Sequence, residues 1–432
     1  MKLILKYILF FYLLIIYSCS NSVSIRKSKS SFLAYYNTFY AAEKSYKDAV
    51  DIIELDQSKN KEIPSSAITL LEQAIKNALI IEQQFYNTKY LDDAYFIIAK
   101  SSYIIDRITA SNYYFSKLCE EFPESDFFDE SKIWMGYIDL KIGNVNKARK
   151  TISMLSRISE KNKLLLYLLG AEIEKFEGNI EEEKKYYLLA VQYTLNKIEK
   201  INIYKKLLFI SEDLKETSEC IQYINEIEQL STYNNTDKEL IQKWIKYSIL
   251  DHQYDLVIDR LDDLISNSIK TLEINEHIIQ KAEIYVLSEN YYKAQEILNE
   301  FILNNTESMA SKKLLSHAYY ILGEIEFKYN FNYEKAEENF NTSVEVSTNS
   351  EYGKKSEEYL ELILDYNNTL EEISYANSIS GVENSDNDTN NDFMIPLPDN
   401  FKSNSLDSLS YRLAYLLYFD FNSKDSAVAK FK

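Results

Sequence analysis

The sequence predicts an all-α fold, with helix–turn–helix units stacked in series into a superhelical solenoid. Three observations lead there. Gly occurs 7 times and Pro 4 times in 432 residues, too rarely for sheets, whose tight turns draw on both. Apolar residues make up 46% of the chain and recur at three- and four-residue spacing, the period of one helix face. The centre of the chain also repeats: Ser111, Ala148, Glu183, Cys220, Val257, Ala294 and Ala336 recur at gaps of 37, 35, 37, 37, 37 and 42 residues.

The N-terminus comes first. Lys2 and Lys6 precede Tyr7–Tyr17, an apolar run of eleven. A membrane-spanning helix needs about 20 apolar residues, so this run fits the core of a signal peptide. Ile16, Tyr17, Ser18 and Cys19 follow the order aliphatic, variable, small, cysteine. That order resembles the lipobox of bacterial lipoproteins. The resemblance implies that residues 1–18 are a cleaved signal peptide and that Cys19 becomes a lipidated N-terminus. Ser20, where inner-membrane retention uses Asp, implies delivery to the outer membrane. Residues 19–30 read as a polar tether.

Residues 31–379 read as the repeat array. Phe39, Ala42, Tyr46, Ala49 and Ile53 mark a first helix, and Ile68–Phe85 a second. The polar stretch Asp56–Pro64 separates them, and Pro64 suits a helix start. In the repeats, each aligned residue opens a second helix. Four residues on come Phe115, Ile152, Tyr187, Ile224, Leu261, Leu298 and Phe340, and seven on come Leu118, Leu155, Ala190, Ile227, Leu264, Phe301 and Ser343. Offsets of four and seven share a helix face. Twelve or thirteen residues upstream lies a small residue on the first helix: Ala99, Gly136, Gly170, Ala282 and Gly323. It lets the paired helices approach closely. One unit offers Ile245 or Lys246 instead. Gly143-Asn144, Gly178-Asn179, Glu289-Asn290 and Phe331-Asn332 occupy the turns, where Gly and Asn tolerate the left-handed conformation.

These units resemble the tetratricopeptide repeat over about residues 31–375. The stretch from Asp93-Ala94-Tyr95 to Phe122-Pro123-Glu124-Ser125 also resembles the BamD-like outer-membrane lipoproteins, a likeness that covers about residues 31–150. One helix pair cannot bury its apolar stripe alone, so stacking provides the core and leaves a concave groove suited to extended partners.

The chemistry search is short. The sequence has no phosphate-binding glycine loop, no HExxH, no GxSxG and no CxxC. No catalytic, cofactor or metal residues are assigned, and no enzymatic activity is expected. His252, His277 and His317 read as solvated surface residues; the last two fall near the start of first helices. Glu181-Glu182-Glu183 and Glu357-Glu358 read as solvated faces, and Tyr35, Tyr36 and Tyr40 as packing. Cys119 and Cys220 read as small core residues rather than a disulfide. The formal charge of −19 repels phosphate backbones, so nucleic acid is not an expected partner.

The end of the chain departs from the pattern. Residues 380–405 read as an acidic disordered linker holding an apolar island, Phe393–Phe401. Residues 406–432 read as the start of a further repeat unit that stops one residue after Phe431, which suggests a fragment.

Two function classes follow. The first is a lipid-anchored protein-interaction scaffold at the periplasmic face of the outer membrane, with a role in outer-membrane protein assembly or envelope organisation. The second is a helical-repeat lipoprotein that binds a glycan or nutrient beside a transporter. Such receptors carry loops rich in Gly, Pro and Trp, and two Trp with seven Gly argue against that class.

Overall fold

A computed structural model describes residues 32, 38–56, 62–155, 158–231, 238–305, 311–383 and 406–417. Among them there are helices and turns and no strand. Two compact units divide the chain, residues 1–237 and 238–432, where the sequence suggested one array.

The N-terminal unit holds five helical hairpins. They pair α1 (Tyr40–Asp56) with α2 (Ser65–Gln84), α3 (Leu91–Ile104) with α4 (Ile108–Glu121), and α5 (Phe128–Lys141) with α6 (Val145–Met154). They also pair α7 (Glu160–Glu177) with α8 (Ile180–Ala190), and α9 (Lys197–Leu214) with α10 (Thr217–Leu230). The C-terminal unit holds three hairpins: α11 (Lys238–Leu250) with α12 (Tyr254–Asn267), α13 (Thr271–Leu287) with α14 (Tyr291–Asn305), and α15 (Lys312–Lys328) with α16 (Tyr333–Ser347). It closes with α17 (Glu351–Glu383) and α18 (Leu406–Tyr415).

The repeat register is visible in the backbone. Every aligned residue from Ser111 to Ala336 is the fourth residue of its second helix. Five residues before each, the chain turns left-handed: Asp106, Gly143, Gly178, Lys215, His252, Glu289 and Phe331 all have positive φ. The next amide reaches back to close the first helix, as in Asn144 N–H to Asp139 C=O (2.7 Å), Glu216 to Ser211 (2.9 Å) and Gln253 to Ser248 (2.8 Å). This is the backbone-satisfying helix stop. In the α15–α16 turn the bond spans one residue more, Asn332 to Glu326, which explains why Gly323 lies thirteen residues upstream there.

Packing follows from this register. Six of the seven aligned residues are buried; Glu183 is half-buried, and its neighbour Lys184 turns inward instead. That ammonium is 2.5 Å from both Glu216 and Glu219, so its charge is neutralised where an apolar residue would otherwise pack. At Ser111 the close approach is explicit, because its hydroxyl donates to the Ala99 carbonyl at 2.8 Å. A Cβ on Gly323 would stand 2.5 Å from the Phe340 ring, so this position admits no side chain. In the α7–α8 hairpin a Cβ on Gly170 would likewise stand 2.5 Å from the Tyr186 ring, and the adjacent Ala171, twelve before Glu183, is also buried. In the α11–α12 hairpin Ile245 is the buried residue and Lys246 is exposed.

The C-terminal elements differ from expectation. With no proline to stop it, α17 runs to Glu383, into the span read as linker. Residues 384–405, including Phe393–Phe401, lie outside the described residues, as do 418–432. The helix α18 packs back on the helices before it. Its Leu413, with Leu417 just beyond, packs into one cluster with Phe327, Phe340 and Ile363, and Arg412 pairs with Asp365 of α17. An amphipathic helix buries its apolar stripe on the nearest apolar face, and the solvent-side flank of α17 offers one.

Candidate interaction surface

In the seven aligned hairpins, the residue eleven before the aligned position, one step past the small residue, lies on the first helix. This row holds Lys100, Tyr137, Glu172 and Phe209 in the N-terminal unit. In the C-terminal unit it holds Lys246, Glu283 and, allowing for the longer turn, Glu324. All seven are half-buried or exposed. The backbone position is constant and the chemistry is not, so each repeat contributes one different side chain to a common face.

In the N-terminal unit this face is aromatic and carries charges of both signs. The Trp134 ring lies 5.0 Å from the rings of both Tyr103 and Tyr137, and the Lys100 ammonium sits 3.3 Å above it. The Trp134 indole N–H donates to Glu130 at 3.1 Å. Burial pushes the Lys100 amine down to about 8 against a pull from Glu130; a cation–π contact replaces only part of the lost hydration. Among the described residues no hydrogen bond or ion pair reaches that amine. Further along, Lys206 bridges to Glu172 (3.1 Å) and to the Tyr187 hydroxyl (3.0 Å). Burial, with Glu172 nearby, holds the Tyr137 and Tyr103 phenols above their ordinary range.

In the C-terminal unit the same face is acidic and holds a histidine. The His317 ring stacks on Tyr352 of α17 at 3.4 Å and 7°. Its Nε2 lies 3.0 Å from a Glu283 oxygen on α13. Glu324 accepts from the Tyr359 hydroxyl at 3.0 Å and pairs with Lys328. Gln280 donates to Gln242 at 3.4 Å, joining the two preceding first helices.

His317 is therefore buried, not a solvated surface residue; its ring fills the space between three helices. His277 is half-buried, with an Nδ1 that has no partner among the described residues. His252 is exposed in a turn, 3.0 Å from the Tyr254 hydroxyl. No cluster of His, Cys, Asp and Glu among the described residues could hold a metal ion. Cys119 and Cys220 are free, half-buried and buried respectively, and burial pushes both thiols up to about 11. Cys19, Tyr35 and Tyr36 lie outside the described residues. Among the described residues no helix is long and apolar enough to cross a membrane. Sequence reading assigned no residue to this face. The signal that would have found it is the position one step past the small residue, which no composition argument singles out.

No protein-family model matches the chain, and no curated protein matches it. Solved helical-repeat structures do. A tetratricopeptide repeat protein from Parabacteroides merdae is 14% identical, covering 63% of this chain and 98% of its own, with a TM-score of 0.30. The C-terminal part of a repeat protein from Cytophaga hutchinsonii is 14% identical, covering 61% and 99%, with a TM-score of 0.35. The Cut9–Hcn1 hetero-tetramer of the APC/C is 14% identical, covering 74% of this chain and 60% of that one, with a TM-score of 0.29. At such values the likeness carries no functional inference. The repeat fold rests on the hairpin register itself.

Proposed function

We propose that this protein is a lipid-anchored scaffold that holds partner proteins along the first-helix faces of its two units. The single observation carrying this reading is the row of Lys100, Tyr137, Glu172 and Phe209: one half-buried or exposed side chain from each of four successive hairpins, at one repeated position, with different chemistry each time. A partner laid across the hairpins would be read residue by residue, as repeat arrays do. The lipobox-like Ile16–Cys19 supports anchoring through acylated Cys19. Together with the BamD-like stretch, it favours the periplasmic face of the outer membrane and a role in outer-membrane protein assembly. The partners are proteins or extended peptides, with no nucleic acid and no catalytic role.

The glycan-receptor reading has less support. Trp134 has Lys100 on one face and Tyr103 and Tyr137 packed around it, so the ring is not free to stack on a sugar.

A photo-crosslinking residue at Phe209 tests the scaffold role in intact cells. Capture of barrel-assembly components supports it, and capture of a nutrient transporter moves the reading to the receptor class. Mass spectrometry of the mature N-terminus tests the anchor: a diacylated cysteine at 19 is expected, and an unmodified one, or cleavage elsewhere, overturns it.

A further inference from the structure

The most exposed aliphatic side chains of the described chain occupy one repeated position. Leu195 is 100% exposed and Ile269 97%. Each lies twelve residues after the aligned residue of its hairpin (Glu183 and Val257), in the connection to the next hairpin. A second exposed aliphatic follows three residues later, Ile198 and Leu272. Equivalent positions elsewhere hold Pro123, Glu160 and Thr348.

The two connections are built alike. The Thr194 hydroxyl donates to Glu199 at 2.5 Å, and the Ser268 hydroxyl to Glu273 at 3.3 Å. These bonds link the residue before each tip to the first turn of the next helix, so the aliphatic pair is held out by a fixed turn. Water around such side chains is unfavourable, by roughly 25 cal/mol per Å², and among the described residues both tips stay exposed.

The charge around the tips is also distinctive. The chain carries −19 overall, yet lysines flank both pairs. Lys197 is exposed and Lys200 half-buried beside Leu195, and Lys163 of the preceding hairpin lies 3.4 Å from the Tyr193 hydroxyl. Glu160 is paired with Lys163 and Glu273 with both Lys238 and Lys270, while Glu199 accepts from Thr194, so Lys197 and Lys200 beside Leu195 are the ammonium groups with no ion-pair partner among the described residues. An aliphatic tip between ammonium groups matches the boundary of an anionic bilayer, with carbon chains entering the acyl region and ammonium groups on the phosphates.

We propose that the Leu195–Ile198 and Ile269–Leu272 tips dip into the membrane interface, each laying its own unit against the bilayer that Cys19 anchors. The idea rests on the membrane-anchored reading above, and its test does not depend on the lipid.

The test uses the full chain carrying Cys19→Ser, floated with vesicles of phosphatidylethanolamine and phosphatidylglycerol. The unlipidated parent is expected to rise with the vesicles. Leu195→Asp with Ile198→Asp, combined with Ile269→Asp and Leu272→Asp, should lower the bound fraction about tenfold or more while leaving circular dichroism unchanged, since all four side chains are exposed. Lys197→Glu with Lys200→Glu should weaken binding to these vesicles but not to vesicles without phosphatidylglycerol. The proposal is overturned if the parent stays at the bottom of the gradient, or if the four-Asp variant floats as well as the parent. It is also overturned if the Asp substitutions instead dissolve a dimer seen by sedimentation, which would make the tips a contact between copies. The N-terminal mass of the wild-type chain is read separately, so loss of the anchor and loss of the tips are distinct results.

Discussion

The two units close the same hairpin with different residues. In the N-terminal unit the left-handed turn position holds Asp106, Gly143, Gly178 and Lys215, and in the C-terminal unit it holds His252, Glu289 and Phe331. Glycine adopts this conformation freely, whereas other L-residues are penalised by about 1–2 kcal/mol. All seven aligned hairpins nonetheless place a positive-φ residue five before the aligned position. The turn is thus imposed by the packing of the two helices it joins, not selected by the turn residue. The second contrast lies on the first-helix rows: Lys100, Tyr137, Glu172 and Phe209 in the N-terminal unit, and Lys246, Glu283 and Glu324 in the C-terminal unit.

Overpacking should separate the units most sharply. Ala148 and Ala294 are fully buried at equivalent positions. Replacing either by Phe forces apart helices that touch through small residues, at an expected cost of about 1–3 kcal/mol. Stability in a repeat array couples nearest neighbours. Hydrogen exchange should therefore show Ala148→Phe loosening α5 to α8 while α13 to α16 stay protected, and Ala294→Phe the reverse. Equal loss of protection in both units would mean that they unfold as one.

Acid should act on each unit through one buried carboxylate. Glu174 accepts from Arg149 at 2.6 Å and from Asn179 at 2.9 Å, and the Arg149 hydrogen bond holds its carboxyl below the ordinary range. Glu326 accepts from Lys335 (2.7 Å), Gln295 (3.0 Å) and Asn330 (2.9 Å). There burial pushes the carboxyl up, and these donors outweigh it. A depressed carboxylate stabilises the fold above its unfolded value near 4.3, and that contribution is lost as pH falls through the lower folded value. Arg149→Ala should cost about 1–3 kcal/mol at neutral pH and flatten the acid limb of the N-terminal unit. Lys335→Met should cost less, because two donors remain on Glu326. Urea titrations at neutral pH and at pH below about 4 compare the two; a larger loss from Lys335→Met would contradict the donor count.

Much of the fold was legible because the hairpin period is written in buried positions. Phe115, Tyr187, Leu261 and Phe340 could be aligned from spacing alone, and all four are buried without remainder. Burial is a one-dimensional property of a helix face. The interaction surface is not. Lys100 matters because Trp134, from the next hairpin, comes beneath it, and His317 because Glu283 and Tyr352 close on it from two other helices. Such contacts join residues some 35 apart, where apolar patterning gives no guidance. The end of α17 was missed for a similar reason. Its polar composition resembles a linker, and no proline interrupts the helix before Glu383.

The turns themselves give the smallest effect and the closest test. If packing imposes the left-handed position, its occupant changes stability without changing structure. Phe331 has φ 53° and Lys215 has φ 60°, and both exceed Asp in the bulk that crowds this conformation. Phe331→Gly and Lys215→Gly should each stabilise their unit by about 0.5–1 kcal/mol, the relief of the left-handed penalty less the entropy that glycine adds to the unfolded chain. Gly143→Ala and Gly178→Ala should each destabilise by about 1 kcal/mol. No Cβ built at either glycine meets a neighbour within 4 Å, so the whole effect is conformational. Thermal midpoints of the four variants decide between two accounts. Gains at 215 and 331 with matching losses at 143 and 178 would place the penalty in the backbone. A loss at Phe331→Gly would show instead that the half-exposed Phe331 ring packs usefully across the turn edge, and that the C-terminal unit offsets turn strain with a side-chain contact that the glycine turns of the N-terminal unit do without.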